Sequence, residues 1–155
     1  MALDKLMEQC LEIERISSRC RELSENLPRY PFNECVGNIY DICKGFCDAQ
    51  NKDIKHPWER KKFIFVALAI ISPLDLIRDK VGKKRLTLGV RAVLANLLEC
   101  RATCISHDLS QLSFLYWTYS NFRNEVAFLY DACMSKLPKT DNMSLDDLKK
   151  EDYGT

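Results

Sequence analysis

Nine consecutive apolar residues, Phe63 to Ile71, lie between the basic triplet Arg60-Lys61-Lys62 and the stop Ser72-Pro73. At 1.5 Å per residue they span roughly 14 Å of helix, about half of the ~30 Å hydrocarbon core of a bilayer. A run of that length does not cross a membrane. It is a helix enclosed by protein or one that rests on a lipid surface, and burial is the expectation.

The other elements read as helices as well. Apolar residues recur at steps of three and four. Leu6, Cys10, Ile13, Ile16, Cys20, Leu23 and Leu27 predict a first helix over Leu3–Asn26, and Pro28 and Pro31 make the turn after it. Phe32, Cys35, Val36, Ile39, Cys43 and Phe46 line a second helix, and residues 1–50 together form a helical hairpin. Gln50–Lys55 is a polar connection. Pro57 suits the first position of a third helix, with Glu59 favourable in its first turn, and this helix must end before Pro73. Residues 56–82 are thus a central apolar helix plus a short amphipathic piece, Leu74–Lys80, closed by Gly82. Over 86–137 a long fourth helix runs from Leu86 to His107. Asp108 caps a fifth helix and Asn121 a sixth. Residues 138–155 are polar and aperiodic, a tail leading toward a further domain. The expected fold class is all-α, two packed helical subdomains of four-helix-bundle type.

With 155 residues, 46% hydrophobic and 29% charged, the chain has ordinary globular composition. Residues 1–21 lack the apolar stretch of a signal peptide, which predicts a reducing compartment. Eight cysteines are then most simply free, small hydrophobes. Cys10 and Cys20 have the spacing of oxidised helical hairpins, but Cys35, Cys43 and Cys47 do not repeat it.

The net charge of +1 hides an asymmetry. Residues 1–51 carry 6 Lys/Arg against 9 Asp/Glu, whereas residues 52–91 carry 11 against 4. The basic residues are Arg60, Lys61, Lys62, Arg78, Lys80, Lys83, Lys84, Arg85 and Arg91, with Lys52 and Lys55 upstream. A cluster like this is a solvated helix flank or a surface for anionic lipid or RNA, and both contacts would weaken with salt. Only Trp58, Phe63 and Phe65 are near enough to stack on bases, so sequence-specific readout is not expected.

Three smaller constellations carry possible chemistry. Cys100, Cys104 and His107 share one helix face, and Cys43 with Cys47 offers an i, i+4 pair, so two facing helices could present a tetrahedral metal site. Buried core thiols explain the same positions, and no cofactor is expected. Cys104 with His107 lacks an orienting third group or an oxyanion donor, and the carboxylates are scattered, so no catalytic set stands out. His56, at a helix start beside the basic cluster, is a candidate pH sensor.

Two stretches carry a resemblance. Pro57-Trp-Glu-Arg-Lys-Lys-Phe-Ile-Phe-Val-Ala-Leu-Ala-Ile-Ile-Ser-Pro73 is a basic-to-apolar helix stopped by proline. Phe114-Leu-Tyr leads through Asn124-Glu125-Val126-Ala127-Phe128 to Ala132-Cys133. In order and spacing both resemble the N-terminal domain of orthomyxovirus matrix proteins, most like the thogotovirus branch, over about half the chain. The resemblance implies two packed helical subdomains and a structural, non-enzymatic role under a viral envelope. It implies self-association, binding to anionic lipid of the inner leaflet, and contact with the ribonucleoprotein or its RNA without sequence specificity. Lys83, Lys84 and Arg85 would carry these contacts. No small-molecule substrate is implied. Location would be the virion, the host cytoplasm and the inner face of the plasma membrane, with the nucleus as a further site. Two features depart from the best-known members. The Leu86–His107 stretch holds only Arg91 and Arg101 in place of a basic localisation run, and Met-Ser-Lys-Leu-Pro follows Cys133 in place of a Cys-Cys-His-His stretch. The alternative reading is a cytosolic helical adaptor that binds a partner helix in a groove, without a membrane role; a third is a helical RNA-binding protein.

Overall fold

The computed structural model describes residues 2–25, 32–77 and 89–137. All regular structure among them is helical: α1 (Leu3–Glu25), α2 (Phe32–Ala49), α3 (Pro57–Ile71), a 3₁₀ turn (Pro73–Ile77), α4 (Val90–Leu97), α5 (Ala102–Thr118) and α6 (Ser120–Lys136). The fold is all-α. None of the described helices is long and apolar enough to cross a membrane.

The apolar run is the centre of the molecule. Phe63, Ile64, Val66, Ala67, Leu68 and Ile70 are all buried, while Phe65, Ala69 and Ile71 are partly exposed. α2, α5, α6 and the 3₁₀ turn enclose it, and α4 packs on α5 and touches α2. One continuous core unites α2 to α6, with α3 shared by everything around it. Aromatic edges tie the neighbours to α3. Tyr40 of α2 meets Phe63 at 5.4 Å, Phe122 of α6 meets Trp58 at 5.3 Å and Phe65 at 5.9 Å, and Tyr116 of α5 stacks on Phe65 at 5.1 Å. Such pairs contribute about 0.5–1.5 kcal/mol each beyond their burial.

The ends of α3 follow the sequence logic. Pro57 occupies the first turn, His56 is the N-cap, and the Ser72 N–H closes on Leu68 O at 2.7 Å before Pro73 stops the helix. Three other expectations are corrected. The continuous helix over Leu86–His107 is interrupted among the described residues, because Glu99 turns left-handed (φ 53°) and Cys100 N–H returns to Ala95 O at 2.9 Å. This is a helix C-terminal closure built on a residue with no glycine signal. Asp108 is not a cap but lies inside α5 with no exposed surface, and α6 begins at Ser120 with Tyr119 as N-cap, which places Asn121 in its first turn. Finally, α1 does not form a hairpin with α2. All its described side chains are exposed, apolar ones included.

Candidate functional site

The N-terminal half of α3 concentrates the buried charge of the molecule. Glu59 and Lys62, one turn apart and both nearly inaccessible, pair at 2.7 Å. Lys62 also approaches Glu125 of α6 at 3.8 Å, and Glu125 accepts a hydrogen bond from Trp58 Nε1 at 3.0 Å. Lys52 reaches the other Glu59 oxygen at 3.8 Å. On the opposite flank, Arg60 forms a two-pronged pair with Asp108, Nε to Oδ2 at 2.5 Å and Nη2 to Oδ1 at 3.1 Å, while its Nη1 donates to Lys55 O. Each charge is compensated where water is excluded, the condition under which buried ions are tolerated.

These contacts redistribute the basic surface expected from sequence. Arg60 and Lys62 are committed to interior carboxylates, so their assignment to membrane or ribonucleoprotein binding is withdrawn. Lys61 is half-buried, and Arg91 is exposed on α4 and donates to Ser106 Oγ at 3.0 Å. Arg78, Lys80, Lys83, Lys84 and Arg85 lie outside the described residues. His56 is exposed, and its Nδ1 accepts from Trp58 N–H at 3.4 Å.

The thiols separate into two environments. The Cys43 thiol donates toward Cys133 of α6, and Cys47 donates to Glu59 at 3.7 Å beside a cavity of about 230 Å³ bordered by Phe46, Gln50, Asn124 and Phe128. Cys100 pairs with Cys104 near Arg60 and Asp108, and His107 is exposed against Gln111 at 3.4 Å. The i, i+4 sets on α2 and α5 therefore do not converge. Among the described residues no group of three or more His, Cys, Asp or Glu side chains is placed to hold a metal ion.

The hydrogen bond to Cys133 and burial both push the Cys43 thiol up; burial first, then the Glu59 carboxylate, push Cys47 up to about 11; burial and Cys104 raise Cys100. Thiols in this state are inert at neutral pH. The same shifts couple stability to alkali. A thiol held protonated in the fold favours the folded chain below its ordinary value of 9.0 and ceases to do so once pH passes the folded value of about 11. Urea unfolding is therefore expected to show stability falling from about pH 9 to about pH 11, with a shallower fall in Cys47→Ala.

A second feature was not visible in the sequence. An open apolar cavity of about 370 Å³ lies between α3, the 3₁₀ turn, α5 and α6, lined by Phe65, Leu76, Ile77, Tyr116, Trp117 and Tyr130. Trp117 and Phe114 on α5 are largely exposed near it. Its lining comes from two separate stretches of the chain, 65–77 and 113–131, so no single stretch announces it.

No protein-family model, curated protein or solved structure matches the chain. The likeness to orthomyxovirus matrix proteins rests on the two motifs alone.

Proposed function

We propose that the chain is the helical N-terminal domain of an orthomyxovirus-type matrix protein. In this reading it is a non-enzymatic structural protein that self-associates beneath an envelope, binds anionic lipid of the inner leaflet electrostatically and contacts the ribonucleoprotein. The two-subdomain, four-helix-bundle description belongs to the same proposal. One observation carries the lipid contact. Most of the apolar run is buried in the core and its cations Arg60 and Lys62 pair with Asp108 and Glu59, which argues against α3 as a basic, apolar insertion element. The other cations of the cluster, Arg78, Lys80, Lys83, Lys84 and Arg85, follow directly on the 3₁₀ turn in sequence and are the ones this reading assigns to the leaflet. Five Lys/Arg there, at on the order of 1 kcal/mol each near an anionic leaflet, are enough for salt-sensitive binding.

Liposome co-sedimentation tests this. The protein is expected to pellet with phosphatidylserine vesicles at low salt, to release as salt rises, and to lose binding in Lys83→Glu/Lys84→Glu/Arg85→Glu. Equal pelleting by the variant, or none by the wild type, would remove the lipid role. The apolar cavity against Trp117 favours a second reading, an adaptor that seats a partner's apolar helix between α5 and α6; it requires indifference to lipid and salt.

A further inference from the structure

α1 is a 23-residue helix, about 35 Å long, whose described side chains are all exposed and which takes no part in the core formed by the described residues. Most helical stability in proteins comes from packing an apolar face, yet α1 carries Leu3, Leu6 and Ile13 at 70%, 44% and 63% exposure. The exposed residues are ordered. Leu3, Cys10 and Ser17 recur every seven residues, as do Leu6, Ile13 and Cys20, alternating at three and four: the a and d positions of three heptads. Met7 borders this seam on one side and Ile16 and Leu23 on the other, while Leu11 lies outside it. Both ion pairs within the helix, Arg15–Glu12 at 2.9 Å and Arg19–Glu22 at 3.3 Å, join c and f positions on the opposite face. The polar side is therefore self-satisfied and the apolar side is open. An anionic leaflet is a poor match for it, since α1 holds six acidic against four basic residues.

We propose that α1 is the self-association element of the chain: the α1 helices of two copies pair in parallel along the seam Leu3, Leu6, Cys10, Ile13, Ser17 and Cys20. This rests on the self-associating part of the function proposed above and assigns its surface. The same face serves both copies, so the contact is closed and two-fold. Small residues at Cys10 and Ser17 let the backbones approach, and a polar Ser17 at an a position selects one register. Orientation follows from charge. In parallel, Glu14 at e faces Gln9 at g of the other copy. In the antiparallel register that overlaps the helices most fully, Glu14 would face Glu14.

The test uses Ile13→Glu/Ile16→Glu in the full chain. Because α1 buries nothing in the core, the variant keeps its helical α2–α6 unit and its melting temperature. Light scattering across a concentration series is expected to show wild-type dimers and a variant whose dissociation constant rises at least about tenfold. In Cys10→Ser, mild oxidation is expected to yield a covalent dimer mapped by mass spectrometry to Cys20–Cys20. A wild type monomeric throughout, a variant that associates like the wild type, or a wild-type cross-link joining Cys10 only to Cys20 overturns the pairing. Vesicle binding measured on the same variant separates the two proposals. Binding retained while association is lost supports α1 pairing and leaves the lipid surface intact, whereas loss of binding by the Lys83→Glu/Lys84→Glu/Arg85→Glu protein alone concerns the lipid surface only.

Discussion

Arg60→Met is expected to destabilise the fold by about 3–5 kcal/mol. The mutation leaves the Asp108 carboxylate with no exposed surface and without the guanidinium that holds both of its oxygens. Methionine fills much of the arginine stem's volume, so the loss measures the stranded charge more than lost packing. The decisive comparison is Arg60→Met/Asp108→Leu. Removing both charges removes the desolvation penalty along with the attraction, and the double variant is expected to recover to within about 1–2 kcal/mol of wild type. Urea denaturation of the two single variants and the double gives the coupling directly. A double variant no more stable than Arg60→Met would show that α3 and α5 need the ion pair itself.

Phe122→Ala should cost about 3–5 kcal/mol, lowering the melting temperature by roughly 10 °C or more. Phe122 has no exposed surface and is the aromatic hinge of α6 on α3, edge-on to Trp58 and to Phe65. Alanine removes both ring contacts and opens a void in a region where three helices meet. Phe114→Ala is the control: the ring is 60% exposed, so the change should fall within about 0.5 kcal/mol. Both aromatics belong to one aromatic-rich stretch, 114–130, so sequence pattern alone ranks them together. Thermal melts of the two variants separate a core role from a surface role. Phe114 is then available for the apolar surface beside Trp117, where a loss of partner binding without a loss of stability would place the adaptor reading ahead.

The interior ion pairs also show why residue type misleads about surface. Arg60-Lys61-Lys62 reads as one basic patch because three cations are adjacent in sequence. On a helix adjacent residues point about 100° apart, so Arg60 turns toward α5 and Asp108, and Lys62 toward Glu59 and α6. Nothing local to the triplet reveals those partners. Glu125 lies more than sixty residues away and Asp108 nearly fifty, and Asp108 reads from its neighbours as a helix cap.

The all-helical class, the bounds of α3 and its burial follow from local chemistry: a nine-residue apolar run allows no solvent face, and Pro57 and Pro73 mark where a helix can begin and must end. The seam of α1 is equally local, a matter of residues at steps of three and four. What covers each face is a different kind of question, since it depends on which other elements arrive. The cavity beside α3 and the commitment of Arg60 to Asp108 and of Lys62 and Trp58 to Glu125 arise from contacts between segments distant in the chain. Periodicity states that a helix has an apolar side, and packing alone states whether its own chain fills it.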